Sequence, residues 1–140
     1  MRKAIIKLFI SIHIFIYKLS GGRFGSEMGE NKILLLTTKG QKSGLDRTTP
    51  LGYFDHEGGY LIIASNGGQA KHPDWYFNLK SDPQVRIQIK DQTLTAKAQV
   101  LKGEPRIPIW ERIVARAPQY GEYENRTDRQ IPVVWLRPSL

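Results

Sequence analysis

The stretch Val85-Arg86-Ile87-Gln88-Ile89-Lys90-Asp91-Gln92-Thr93-Leu94-Thr95-Ala96-Lys97-Ala98-Gln99-Val100 decides the fold class. Val85, Ile87 and Ile89 alternate with Arg86, Gln88 and Lys90. Leu94, Ala96, Ala98 and Val100 then alternate with Thr95, Lys97 and Gln99. A period of two puts each apolar set on one face of a strand, and Asp91-Gln92 is the tight turn between them. Working upstream, Tyr60-Leu61-Ile62-Ile63-Ala64-Ser65 is a further strand, entered through the hairpin residues His56-Glu57-Gly58-Gly59. Arg47 to Phe54 reads as a strand that Pro50 confines to an edge or a bulge. Ile33-Leu34-Leu35-Leu36-Thr37-Thr38 is a continuous apolar run, a buried strand, and Lys39 to Gly44 is the turn after it. Downstream, Ile131-Pro132-Val133-Val134-Trp135-Leu136 makes a sixth strand.

Helical signals are few. Pro73 to Leu79 reads as a short helix with proline in its first turn, stopped by Asp82-Pro83. Pro105 to Ala117 carries Ile109, Trp110, Ile113 and Val114 at helical spacing and ends at Pro118. Gln119 to Gln130 is a polar stretch containing Tyr120 and Tyr123. Six strands with short connections predict an α+β fold, a mostly antiparallel sheet able to curl into a barrel. An N-terminal amphipathic helix over residues 1–20 precedes the main domain at 21–140, with residues 20–31 as the linker.

The chain has 140 residues and no cysteine, so disulfides, thiolate metal sites and cysteine nucleophiles are excluded. Its net charge of +8 points to an anionic partner. The excess is local: residues 1–50 carry nine basic and three acidic side chains, a net of +6. Residues 51–100 balance at five against five.

Part of that charge flanks an apolar segment, Ala4 to Leu19. Helical spacing groups Ile5, Phe9, Ile12, Ile16 and Leu19, with Arg2, Lys3, Lys7, Lys18 and Arg23 around them. A spanning helix needs about 20 apolar residues, and this run has about 13. No small-residue cleavage pattern follows, as a signal peptide requires. Two readings fit: a helix lying in a membrane interface, or one docked on the domain's own core or on a second subunit.

The remaining charge crowds one turn. Lys39, Lys42 and Arg47 lie beside Ser43 and Gly44, the makings of an anion nest, or equally of a solvated hairpin tip. Ser65-Asn66-Gly67-Gly68 ends a buried strand in glycines, which lets backbone lie against a planar ligand or simply form a tight turn. Tyr120 and Tyr123 offer hydroxyl donors or packing surface. Trp75, Tyr76 and Phe77 read as core. No G-x-G-x-x-G, phosphate loop or G-x-S-x-G elbow is present. His13, His56 and His72 sit on unrelated elements, so no metal is expected. Nucleic acid is not expected either, because the two alternating strands carry no aromatics among their cations.

In combination, four segments resemble the deazaflavin-dependent nitroreductase family, and within it the F420H2-dependent quinone reductases. They are Leu35 to Gly44 with Arg47-Thr48-Thr49-Pro50-Leu51; Ala64 to Gly68; His72 to Leu79; and Tyr120 to Tyr123 with Thr127, Arg129 and Ile131-Pro132-Val133. The likeness runs over residues 20–138 in the family's order. It implies a split β-barrel that binds coenzyme F420, whose reduced form donates a hydride.

Lys39, Lys42, Ser43, Gly44 and Arg47 then match the turn that holds the phosphate and oligoglutamate tail, with Lys71 at its rim. Gln41 stands where relatives often have a basic residue, a departure that weakens one tail contact. Pro50, Leu51, Ala64, Ser65 and Asn66 match the lining of the deazaflavin ring, and Trp75 and Asn78 the helix packed behind it. Ser65, Tyr120 and Tyr123 are the candidates for hydrogen-bonding the acceptor. The implied acceptor is a quinone such as menaquinone or a similar hydrophobic oxidant, with nitroreduction as a side activity. The implied location is cytoplasmic, peripheral on the inner face of the cell membrane through residues 1–20. The competing expectation is a split barrel that holds fatty acyl groups without turning over a redox substrate.

Overall fold

The computed structural model describes residues 2–28 and 31–139. In chain order it contains α1 (Arg2–Leu19), β1 (Glu27–Met28), β2 (Asn31–Lys39), β3 (Asp46–Gly52), β4 (Phe54–His56) and β5 (Gly59–Ile63). A 3₁₀ turn at Asn66–Gly68 leads to α2 (Asp74–Ser81), β6 (Gln84–Ile89) and β7 (Gln92–Leu101). The chain ends with α3 (Arg106–Arg116), α4 (Gln119–Asn125) and β8 (Val133–Pro138).

The sheet is antiparallel throughout, in the order β1-β2-β6-β7-β8-β5-β4, with β3 on the other side of β2. The expected second strand is thus two strands. As β3 it pairs with β2, Pro50 opposite Leu35; after Tyr53 it continues as β4 and pairs with β5, Phe54 opposite Leu61. One continuous segment therefore joins both ends of the strand order, and the sheet curls into a split barrel. Pro50 is tolerated because β3 has a single ladder, so its missing N–H interrupts nothing on the other side.

Strand directions place the connections. β2, β5 and β7 run one way and β3, β6 and β8 the other, as the antiparallel pairs require. The β2–β3 turn, the β5–β6 crossover with α2 and the β7–β8 crossover with α3 and α4 therefore all leave the same end of the barrel. The hairpins at Glu57-Gly58 and Lys90-Asp91 close the opposite end.

Burial explains the sequence patterns. Leu34, Leu36, Ile62, Val85, Ile87, Ala96, Ala98, Val134 and Leu136 meet in one cluster, plugged by Trp75, Tyr76 and Leu79 of α2. The outward residues of β6 and β7 face water, hence their alternation. β5 is apolar on both faces because α3 covers the outer one with Ile109, Trp110 and Ile113 against Leu61 and Ile63. β2 is covered outside by Ile14 and Tyr17 of α1, against Ile33 and Leu35.

The attachment of α1 differs from the expected pattern. The stripe Ile5, Phe9, Ile12, Ile16 and Leu19 faces away from the barrel, and each of these residues is exposed. The docked face is His13, Ile14 and Tyr17, and Tyr17 is fully buried. The Tyr17 hydroxyl lies 3.1 Å from the carbonyls of both Ile33 and Gln88 and accepts the Lys90 N–H at 2.8 Å. His13 Nε2 meets the Gly25 carbonyl at 2.7 Å. Residues 20–26 are correspondingly packed. A Cβ on Gly22 would lie 2.1 Å from the Lys90 Cα, so only glycine, here at φ +80°, fits between α1 and the β6–β7 turn.

Candidate active site

The turn after β2, the loop after β5 with α2, and the stretch through α4 lie on the connections that leave one end of the barrel. The β2–β3 turn is closed by Gly40 N–H to the Leu45 carbonyl and Gly44 N–H to the Gly40 carbonyl, both 2.8 Å. Ser43 Oγ accepts the Leu45 N–H at 3.2 Å. Lys39, Lys42 and Arg47 project into solvent and form no ion pair among the described residues. Asp46, the one acid of the turn, is turned to Arg86 of β6 at 3.2 Å and so leaves the three cations uncompensated. Nothing lies within 4 Å of the place a Gly44 Cβ would take, so a ligand can approach that backbone directly.

Asn78 supports the turn from behind. Its side chain accepts the Gln41 N–H at 3.1 Å and donates to Thr38 Oγ1 at 3.1 Å, within the barrel plug where Asn78 and Thr38 are both buried. Trp75, 8 % exposed, fills the core beneath the same helix. Asn78 braces the turn with both ends of its amide.

The loop after β5 supplies the second feature. Ser65 is right-handed (φ −75°, ψ −32°), Asn66 follows at φ +48° and Gly67 at φ +64°. Such a succession turns consecutive amides toward one side. The N–H groups of Ser65, Asn66 and Gly67 have no hydrogen-bond partner among the described residues. Gly68 is closed in from behind: a Cβ there would lie 3.1 Å from the Tyr123 carbonyl oxygen. α4, a helix within the stretch read from sequence as merely polar, packs on this turn.

Tyr120 and Tyr123 stand edge to face, ring centroids 5.9 Å apart, and Tyr120 also meets Phe54 at 6.2 Å. The Tyr120 hydroxyl reaches Gly52 of β3, next to Leu51, 3.6 Å from where a Cβ would be. Burial, reinforced by Tyr123, pushes the Tyr120 phenol above its ordinary value, so it keeps its proton. Neither tyrosine hydroxyl nor Ser65 Oγ is engaged by another described residue. The half-buried Pro50 and Leu51 lie on the strand that passes Tyr120, and Ala64 is buried at the base of the loop. Lys71 is exposed on the following segment, its carbonyl held by Asn66 Nδ2 at 3.0 Å.

Two shallow concavities lie on the sides of the barrel. One, about 310 Å³, sits between β4, β5 and α3 beside Arg112 and Arg116; the other, about 420 Å³, runs along β2, β6 and β7 beside Lys18. The first is bounded in part by Phe54, which meets Tyr120, and the second by Arg86, the partner of Asp46; neither includes the three cations, the free amides or the free hydroxyls.

Residues 10–138 match the model of a family described as F420H(2)-dependent quinone reductase. The chain belongs to that family. It is 38 % identical to an F420H(2)-dependent quinone reductase of Mycobacterium tuberculosis, over 91 % of this chain and 88 % of that one. Among solved structures, an F420-H2 dependent reductase is 44 % identical with a TM-score of 0.68, covering 75 % of this chain and 93 % of that one. A domain-swapped dimer is 36 % identical with a TM-score of 0.72, covering 98 % and 100 %. Membership in the F420H(2)-dependent quinone reductase family disfavours the fatty-acyl carrier. The residues present also fit F420: three unpaired cations for an anionic tail, and three unpaired amides for the polar edge of a planar ring.

The sequence placed Arg129 and His72 within the family likeness but gave neither of them a role. Arg129 and His72 are hydrogen-bonded across 57 residues of chain, and neither carries a local motif that announces the pairing.

Proposed function

We propose that the protein reduces a quinone or similar hydrophobic acceptor with F420H2 as hydride donor. The observation that carries this is the uncompensated cationic turn sharing one barrel end with free amides and free hydroxyls. F420H2 supplies a hydride from its deazaflavin ring; the protein supplies position, orientation and exclusion of water. Lys39, Lys42 and Arg47, with the backbone at Ser43 and Gly44, hold the phosphate and glutamate tail. Pro50, Leu51, Ala64, Ser65 and Asn66 line the ring, held in place by Asn78 and Trp75. Ser65, Tyr120 and Tyr123 donate hydrogen bonds to the acceptor oxygen on which negative charge develops. The test is fluorescence titration with oxidised F420 beside flavin mononucleotide. Saturable F420 binding with little flavin response is expected; absence of F420 binding overturns the assignment.

The exposed apolar stripe of α1, ringed by Arg2, Lys3, Lys7, Lys18 and Arg23, supports attachment to the cytoplasmic face of an anionic membrane, where a lipid-soluble quinone is concentrated. No helix among the described residues is long and apolar enough to cross a membrane. Removing residues 1–20 is a poor test, because it also removes Tyr17 from the core. Replacing Phe9 and Phe15 with serine is the better one, since both are exposed. Co-sedimentation with phosphatidylglycerol vesicles is expected to fall by about tenfold or more. Unchanged co-sedimentation, or a dimer that the substitutions dissociate, rejects membrane attachment.

A further inference from the structure

The guanidinium of Arg129 is surrounded by backbone rather than by carboxylates. Its Nε donates to the Gln69 carbonyl at 3.0 Å, Nη1 to Ala64 at 3.2 Å and Nη2 to Ser65 at 2.8 Å. Nη1 also meets His72 Nδ1 at 2.8 Å. Arginine has five donors in a rigid fork; three bonds here gather one loop and a fourth goes to His72. The carbonyls of Ala64, Ser65 and Gln69 are thereby tied to one cation, while the amides of Ser65, Asn66 and Gly67 in the same loop stay unpaired.

We propose that Arg129 is a positioning residue that holds these amides ready for the cofactor ring, and that neutral His72 licenses the clamp. The inference rests on the ring lying against Ala64 to Asn66. His72 Nδ1 must carry its lone pair toward Arg129, which assigns the proton to Nε2. Its ring is packed against Tyr76 at 4.6 Å and Phe77 at 5.7 Å. The charged groups acting on it are Arg129 and, from α2, Lys80. No carboxylate among the described residues pairs with it. A second proton would sit on Nδ1, facing a guanidinium hydrogen, and would set two cations in contact.

The sign follows. Burial first, then Arg129 and Lys80, hold the His72 pKa below its ordinary 6.5, so the native state binds fewer protons there than the unfolded chain. The stabilisation is complete above the unfolded pKa and is lost as pH falls through the depressed native value. Cofactor affinity should fall over that same acidic range.

The experiment uses the full chain and its Arg129→Gln, Arg129→Lys and His72→Asn variants. Oxidised F420 affinity is measured by fluorescence between about pH 5 and pH 8. Amide exchange of residues 64–69 is followed without cofactor, and unfolding midpoints check that each variant folds. Arg129→Gln is expected to speed exchange in the loop and weaken F420 about tenfold through lost preorganisation. Arg129→Lys should not restore affinity, because an ammonium cannot bridge three separated carbonyls. His72→Asn offers Arg129 an oxygen that does not titrate, so its affinity should decline less toward acid than that of the wild type. A wild type that fails to bind F420 overturns the site itself. Binding by the wild type with unchanged loop exchange in Arg129→Gln overturns the clamp. Faster exchange with unchanged affinity shows that the ring does not use this loop, and coincident pH profiles for wild type and His72→Asn reject the histidine's part. Should Arg129→Gln not fold, loop exchange and affinity in Arg129→Lys decide the clamp, and unchanged values there overturn it.

Discussion

Replacing Tyr17 with alanine lowers the stability of the whole barrel by about 3–5 kcal/mol, the range for emptying a buried aromatic site. The side chain is fully buried between α1 and β2, packed with Ile14, Ile33 and Leu35. Its hydroxyl is also the meeting point of β2 and the β6–β7 turn, through the Ile33 and Gln88 carbonyls and the Lys90 N–H. Tyr17→Phe keeps the ring and strands those polar groups, at about 1–3 kcal/mol. For a chain of this length, 3 kcal/mol corresponds to a fall in Tm of roughly 10 °C. Thermal unfolding followed by far-UV circular dichroism reads both. A Tyr17→Ala protein with an unchanged midpoint and merely a protease-sensitive α1 would show that the helix is an appendage and refute the claim.

Removing both Lys42 and Arg47 abolishes most of the affinity for F420. Each side chain, if it makes a charge-assisted bond to the anionic tail, contributes about 1–3 kcal/mol. The pair together is therefore worth roughly a hundredfold in Kd or more. Neither residue is in an ion pair among the described residues, so alanine strands no described partner and the fold should be unaffected. The same argument predicts that salt weakens binding to the wild type and has a much smaller effect on the double variant, because exposed charges are screened. Titration of both proteins with F420 at two salt concentrations gives the answer. Full affinity in the double variant removes the tail from this turn.

The two expectations differ in how much sequence could say about them. The cations around Lys42 are neighbours in the chain, so a short turn brings them together whatever the rest of the fold does. Tyr17 belonged to a segment whose most regular stripe, Ile5 to Leu19, turned out to face away from the barrel. The buried face was the less apolar one, because a histidine and a tyrosine have polar partners on the barrel and the isoleucines have none. Amphipathicity marks a face that avoids water without naming what covers it.

Strand content was legible for a similar reason. Period-two alternation in β6 and β7 and continuous apolar runs in β2 and β5 are local consequences of one or two covered faces. The division of the second strand at Tyr53 was not, since Phe54 pairs with Leu61 rather than with β2 only because the barrel curls. Helix α4 escaped as well: Gln119 to Asn125 buries no residue, so no apolar period marks it.

By itself, then, the sequence determined the α+β class, most of the strands, the clustering of cations on one turn and the family, all carried by residues close in the chain. Tertiary structure alone decided which face of α1 is docked, that Asn78 braces the turn, and that Arg129 ties the carbonyls of Ala64, Ser65 and Gln69 together beside His72. The hydrogen bonds of Asn78 and Arg129 join groups 37 to 65 residues apart. Hydrogen bonds over such separations depend on where the barrel places its ends, and no spacing in the chain encodes that.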